Sequence, residues 1–493
     1  MTHTSDIPPA EDRRVGRRRF ISGLGSASLL SVRGRTAFAA DGSDPAFGDA
    51  PSFPGQRAYE DRRRDLVWQA IKPDRYPAEI VSAQSEADIA RAVAAARSTG
   101  RGLSVVSGAH SYIGCGLQNG TLLLDLSRLK GMQVDSRNRI GTVEPGLRVG
   151  DFEAALSVAG MAFPIGHDPH VGLGGYLLGG GLGWNPDSWN SAACFNIQAV
   201  DVVLASGQTV RADASSHPDL LWAARGGGPN FPGIVSRFHV GLFPRPRAIR
   251  ESLYTYELHR VGDVVSWLER LSAKQTDKME VSLTLAAESG TGPGGTGRRI
   301  CSVSLIYFAD SEDEAAALQR IAAEAGPPAN AIRSDVLAKR HFADLLAEDG
   351  ATERIRHAVE TVWTGDPSAA AMAAARRFLS APSPDTIVYL GYRARQTLPP
   401  EEAAFSIYGR SYVFIDAAWR TPADDAANRG WLDALVTDLA PATIGFYINE
   451  TDWIGRPGNL ARCYNPAALE RLKTVAAAYD PGGLFPLPLR SYG

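Results

Sequence analysis

Hydrophobic positions along the chain follow two rhythms, helical early on and largely strand-like in the second half. Behind Ser85-Glu86-Ala87-Asp88, a start of the capping-box kind, Ile89, Val93 and Ala96 recur at helical spacing until Gly100 ends the run. Leu103-Ser104-Val105-Val106 then reads as a strand running into a loop. A second helix is expected over 151–160, where Phe152, Ala155, Leu156 and Ala159 share a face, and a strand over 199–204 follows a glycine-rich centre. From Glu251 to about Pro441 the apolar runs lengthen, at 279–286, 299–308, 386–392 and 411–417, with a helix opened by Ser311-Glu312-Asp313-Glu314 between them. These strands are long enough for an antiparallel sheet facing a substrate. The last helix is capped by Asn465, starts at Pro466, is apolar at Leu469, Leu472 and Val475, and ends at Asp480-Pro481. It is expected to pack back on the first part of the chain. The fold class is α+β.

Composition narrows the function without naming it. The 493 residues are 44% hydrophobic and 21% charged, which excludes a disordered chain and a membrane bundle and leaves room for two or three domains. With 51 basic against 54 acidic side chains there is no broad positive field, so nucleic acid is not an expected partner. Gly16-Arg17-Arg18-Arg19-Phe20-Ile21-Ser22, a mildly apolar stretch to Val32 and Thr36-Ala37-Phe38-Ala39-Ala40 stand in the order of a twin-arginine export signal, with the mature chain starting at Ala40. That stretch is too short to span a bilayer, so no stable membrane association is expected, and the twin-arginine machinery is an expected partner. A route for folded cargo invites a search for a cofactor. Cys115, Cys194, Cys301 and Cys463 lie far apart, which gives no zinc spacing, although one disulfide stays open in an oxidising compartment. His167 and His170 flank a glycine-rich turn, where such a pair is more often structural than a metal site, and no metal is expected. H-E-x-x-H, G-x-S-x-G and P-loop patterns are absent.

The chemistry concentrates in glycine-rich segments. Ser107-Gly108-Ala109-His110-Ser111 follows a strand directly, so its small residues let backbone N–H groups approach an anion. Gly166-His167-Asp168-Pro169-His170-Val171-Gly172-Leu173-Gly174-Gly175 runs on to Gly179-Gly180-Gly181, and Arg225 to Val235 forms a third cluster with Gly233, Ile234 and Val235 at its end. A Rossmann site is excluded, since no G-x-G-x-x-G sits between a first strand and its helix.

With these segments in order, the sequence resembles the FAD-linked oxidases of the vanillyl-alcohol-oxidase and p-cresol-methylhydroxylase superfamily, in the berberine-bridge-enzyme-like branch. The resemblance runs from Tyr76 to Pro244 and returns at Tyr464-Asn465 through Tyr479-Asp480-Pro481 and Phe485. After the export signal at 1–39 and a linker and N-terminal segment at 40–75, it implies an FAD-binding domain at 76–245, a substrate domain at 246–441 and a segment at 442–493 completing the FAD-binding part. Val106 to Ser111 stands in the place of that family's R-S-G-G-H-S loop, so His110 is implied as the residue joined covalently to the flavin 8α-methyl. Asp168 replaces the Cys that gives some members a second bond, which implies a single link. Val171 falls where the family admits or blocks oxygen, and a small branched side chain there is similar to the oxygen-reactive members. Gly172, Gly174, Gly175, Gly179, Gly181, Gly233, Ile234, Val235 and Asn465 complete the implied FAD contacts.

The segment Phe446-Tyr447-Ile448-Asn449-Glu450-Thr451-Asp452 is similar to the family's Y-x-N-Y-x-D strand, with Glu450 replacing its second Tyr. On a strand Tyr447, Asn449 and Thr451 point one way and Glu450 the other, so one set alone faces the flavin. Following the family position, Glu450 is the expected base, with Asn449 as support and Tyr447 in the same group. Tyr389, Tyr392, Tyr408 and Tyr412 are second-rank cavity candidates. The implied activity is two-electron oxidation of an alcohol, a carbohydrate or secondary-metabolite hydroxyl, by hydride transfer to flavin N5, with reoxidation by O2 to H2O2. A flavin dehydrogenase, an amine-oxidising or cyclising enzyme, and a flavin-fold binding protein without turnover are the alternatives.

Overall fold

A computed structural model describes residues 51–185, 187–288, 297–346, 355–394 and 400–491. The expected export signal lies outside the described residues. None of the described helices is long and apolar enough to cross a membrane.

The first part is built on two small sheets. Strands Glu79–Ser82, Leu122–Asp125 and Leu103–Val106 pair in parallel, in that spatial order, beside helix Glu86–Thr99. Ser85 caps that helix by accepting from the Asp88 N–H, and Gly100 ends it in the left-handed region at φ +63°, as the sequence signals require. The second sheet has five antiparallel strands, in the order Met132–Asp135, Ile140–Val143, Ile234–Gly241, Ile197–Val203, Thr209–Ala212. The expected helix over 151–160 forms as Val149–Val158.

The second part is one eight-stranded antiparallel sheet, in the order Arg333–Arg340, Ala248–Glu257, Arg299–Ala309, Met279–Ala287, Ile387–Tyr392, Ser411–Trp419, Arg356–Thr364, Thr443–Gly445. Its pleat separates two chemistries. Val281, Leu283, Leu285, Val303, Leu305, Val388, Leu390, Val413 and Ile415 are buried on one face, which helices including Glu312–Glu324, Pro367–Phe378 and Asp425–Leu439 cover. On the other face stand Ser282, Thr284, Tyr389, Tyr412, Phe414 and Asp416, and this polar, aromatic face meets the first part of the chain. Tyr392 takes the helix side by register, with its carbonyl accepting from Gln275, and it lines a small pocket with Asn185, Asp187 and Glu280. Tyr408 precedes its strand and is packed between Trp363, 4.6 Å away, and the Arg393 guanidinium at 3.7 Å.

Helix Pro466–Tyr479 closes the chain on helix Pro218–Ala224, with Arg471 lying over Trp222 and pairing with Asp219 at 2.9 Å. This is the expected return to the first part. Asn465 caps this helix, its side-chain oxygen accepting from the Ala468 N–H at 2.8 Å.

Glu360 shows how a perturbed carboxyl can be purely structural. It lies fully buried on the helix side of the sheet, 3.2 Å from Arg456 and 3.1 Å from the Asn459 amide, and burial lifts its carboxyl to about 7. Replacing it with Ala removes one acceptor each from Arg456, which keeps Asp433, and Asn459, which keeps Thr451, and chemical denaturation is expected to show a loss of about 2 kcal/mol. Flavin reduction in the folded fraction should not change.

Candidate active site

The loop after strand Leu103–Val106 is a row of unclaimed donors. None of the backbone N–H groups from Ser107 to Ile113 donates to a protein acceptor among the described residues, although the whole stretch is half-buried. Ala109 holds φ +55°, a turn that brings these groups round together. The loop meets the second glycine segment backbone to backbone: a Cβ on Gly108 would sit 2.4 Å from the Gly172 Cα, and one on Gly172 would sit 2.4 Å from the Gly108 Cα. Helix Leu173–Leu178, which carries Gly174 and Gly175, begins at this contact. A half-buried cradle of free donors, with no side chain between its two walls, fits the pyrophosphate of an FAD.

His110 stands at one end of this cradle. Its ring stacks on Trp68, with centroids 4.9 Å apart and planes 11° from parallel, and its Nε2 lies 3.2 Å from Asp168 Oδ2. Asp168 Oδ1 also accepts from the His170 N–H at 2.7 Å. Burial raises the Asp168 carboxyl, but His110 and the His170 backbone outweigh it and hold the group below its usual value. Val171 is half-buried behind this turn, its carbonyl accepting from Val149 at 2.9 Å. Ile234 and Val235 are buried core residues of their strand, so any reach to a cofactor from them or Gly233 is through backbone. Ser111 Oγ accepts from the Cys115 N–H, and Val106 is buried at the strand end.

The segment 446–452 is a turn, which corrects the expected strand. Strand Thr443–Gly445 stops at Gly445, and the N–H groups of Glu450 and Thr451 both return to the Tyr447 carbonyl, at 3.1 and 3.0 Å. The alternation argument therefore fails, and Tyr447, Asn449 and Glu450 share one neighbourhood. The Tyr447 hydroxyl accepts from the Gly181 N–H at 2.9 Å and from Asn449 Nδ2 at 3.1 Å, while Asn449 Nδ2 also reaches the Gly175 carbonyl at 3.2 Å. Gly179 has to be glycine here, because a Cβ would lie 1.9 Å from the Asn449 amide oxygen. Tyr447 and Asn449 thus brace the glycine segment, while Glu450 turns to the sheet. The Tyr412 hydroxyl donates to the Glu450 carboxylate from the polar face of the sheet. Burial raises the Glu450 carboxyl to about 7, against the opposing pull of Tyr412, His167 and His110.

Several members of this neighbourhood carry no sequence signal. Trp68 touches His110 on one side and His357 on the other, at 4.8 Å, and His357 Nδ1 pairs with Asp416 at 2.9 Å. Tyr112 lies against Trp68 and Phe414, at 5.3 and 6.2 Å. His167 sits edge-on to Trp184 at 4.2 Å, and Glu280 accepts from the Asn185 N–H at 2.7 Å. All four cysteines are unpaired, and Cys194, Cys301 and Cys463 are buried. No group of three or more metal-ligating side chains occurs among the described residues.

A family model described as an FAD binding domain matches residues 77–213. The FAD-linked oxidoreductase nodO of Hypoxylon pulicicidum is 27% identical over 436 residues, which span 87% of this chain and 94% of that protein. A carbohydrate oxidase of Microdochium nivale is 33% identical over 265 residues, 52% of this chain and 50% of its own. Wild-type BBE-like 1 of Physcomitrella patens shares the fold, with a TM-score of 0.76 at 18% identity, covering 90% of this chain and 96% of that one.

Proposed function

We propose that this chain is an FAD-linked oxidoreductase of the vanillyl-alcohol-oxidase type, in the berberine-bridge-enzyme-like branch, and that it oxidises a hydroxyl-bearing carbon of a carbohydrate or similar small alcohol, with O2 as acceptor. FAD, when bound, supplies the two-electron acceptor for hydride at its N5 position. The reading includes a covalent link through His110. It also includes export by the twin-arginine route, supported by the order of arginines, apolar stretch and small-residue site before Ala40.

The observation that carries the proposal is the Glu450 carboxyl, held near pH 7 and oriented by Tyr412. An alcohol cannot release hydride while its hydroxyl proton stays in place, so a base must take that proton. Glu450 is the base. A carboxyl with a pKa near 7 is half-ionised at neutral pH and is a stronger proton acceptor than an ordinary glutamate. Tyr412 fixes its orientation, while Tyr447 and Asn449 hold the glycine segment beside which the isoalloxazine would lie. The polar sheet face, with Tyr389 and Ser282, offers hydrogen-bonding groups suited to a hydroxyl-rich substrate. The carbohydrate oxidase of Microdochium nivale supports the substrate class.

The test is to screen oligosaccharides and secondary alcohols against the purified full chain, following oxygen uptake with peroxide release beside reduction of a dye. Peroxide formed in step with product supports the oxidase. Turnover with dye alone gives a dehydrogenase, and spectral shifts without flavin bleaching give a binding protein.

A further inference from the structure

The position of Asp168 bears on which atom of His110 reacts. The imidazole is held on two sides: its plane by the parallel Trp68 ring, and its Nε2 by Asp168 Oδ2 at 3.2 Å. The carboxylate itself is pinned, since its other oxygen accepts from the His170 N–H and its own carbonyl accepts from the Val171 N–H at 3.3 Å. Nδ1 of His110 has no hydrogen-bond partner among the described residues.

We propose that Asp168 is the positioning residue for flavin attachment: by holding the proton of His110 on Nε2 it leaves the Nδ1 lone pair to form the bond with the flavin 8α-carbon. This rests on the reading of His110 as a covalent link. Of the two neutral tautomers, a carboxylate at Nε2 stabilises the one protonated there, because it is a strong acceptor for that N–H. When Nδ1 forms its bond the ring becomes cationic, and the same carboxylate, 3.2 Å from Nε2, offsets the charge and is the nearby acceptor for the Nε2 proton. The step balances with dioxygen as oxidant. The 8α-methyl gives up one hydrogen and the imidazole another, one N–C bond forms, and O2 takes two electrons and two protons to leave as H2O2. Asp168 acts through His110, so its effect is read as attachment per FAD bound.

The experiment uses the full chain, prepared with FAD as wild type, Asp168→Asn and Asp168→Glu. Total bound flavin is measured before denaturation, and the fraction remaining with the acid-denatured polypeptide after it. Magnetic resonance of the isolated flavin peptide identifies the bonded nitrogen. The expected result is a bond at Nδ1 in the wild type, with Asp168→Asn attaching on the order of tenfold or more slowly per FAD bound, and Asp168→Glu recovering part of the rate. A wild-type bond at Nε2, or Asp168→Asn attaching as fast as wild type, overturns the assignment while leaving the covalent link standing. Wild-type FAD released free by acid overturns the covalent reading and the assignment with it. Should Asp168→Asn fail to fold, the wild-type bond position still decides, since it needs no variant.

Discussion

Replacing Glu450 with Gln is expected to slow flavin reduction by substrate by a factor on the order of 10² to 10⁴ while leaving FAD content unchanged. The substitution keeps the shape and the contact with Tyr412 but removes the carboxylate that accepts the proton. The sign of the pH dependence follows from the same carboxyl. Burial holds it protonated below about 7, where it cannot act as a base. Wild-type reduction should therefore rise about tenfold per pH unit up to that point and level off above it. In Glu450→Gln this limb should disappear. Anaerobic stopped-flow reduction across pH 5.5 to about 9 reads both effects.

The second large effect is expected at the meeting of the two glycine segments. Gly108→Ala places a methyl 2.4 Å from both the Cα and the N of Gly172, and backbone cannot move aside as a side-chain tip can. The loops must separate, and the donors of Ser107 to Ile113 lose their common orientation. The ratio of flavin to protein absorbance is expected to fall by about tenfold or more, with a stability loss of about 2 kcal/mol. Gly430→Ala is the matched control. Gly430 is exposed in the middle of helix Asp425–Leu439 with nothing within 4 Å of its Cβ position, so flavin content should stay as in wild type.

These two predictions draw on parts of the molecule that differ in how visible they are in sequence. The cradle was legible because its cause is local: small residues directly after a strand, then glycines in a dense run, have few other uses. The terminal helix was legible for the same reason, through Asn465, Pro466 and Asp480 at its ends. The turn at 446–452 was not, because Tyr447, Asn449 and Thr451 imitate a strand's two-residue period. What ends the strand is a pair of N–H groups folding back on the Tyr447 carbonyl, which no side-chain pattern records. Asn465, a flavin contact by family position, also caps the terminal helix through its side-chain oxygen.

The contacts left unseen are those made between distant parts of the chain. Trp68 lies in what reads as a leading segment and His357 on a strand almost 300 residues later, yet both touch the same ring stack around His110. Tyr412 was one of four tyrosines of equal standing in sequence. Register in the eight-stranded sheet separates them, turning Tyr389 and Tyr412 to the polar face and Tyr392 to the helices. The two carboxyls raised to about 7 make the same point about chemistry. Glu360 answers to Arg456 and Asn459 under the helices, Glu450 to Tyr412 on the opposite face, and only their placement tells them apart.

The most direct test of the account is to mix the oxidised full chain with the screened alcohols in the absence of oxygen, follow the yellow flavin band, and then admit air. The account predicts bleaching at a rate set by Glu450, followed by return of the colour with one peroxide per flavin. Bleaching that proceeds equally fast in Glu450→Gln, or a band that no hydroxyl-bearing compound bleaches, would contradict it.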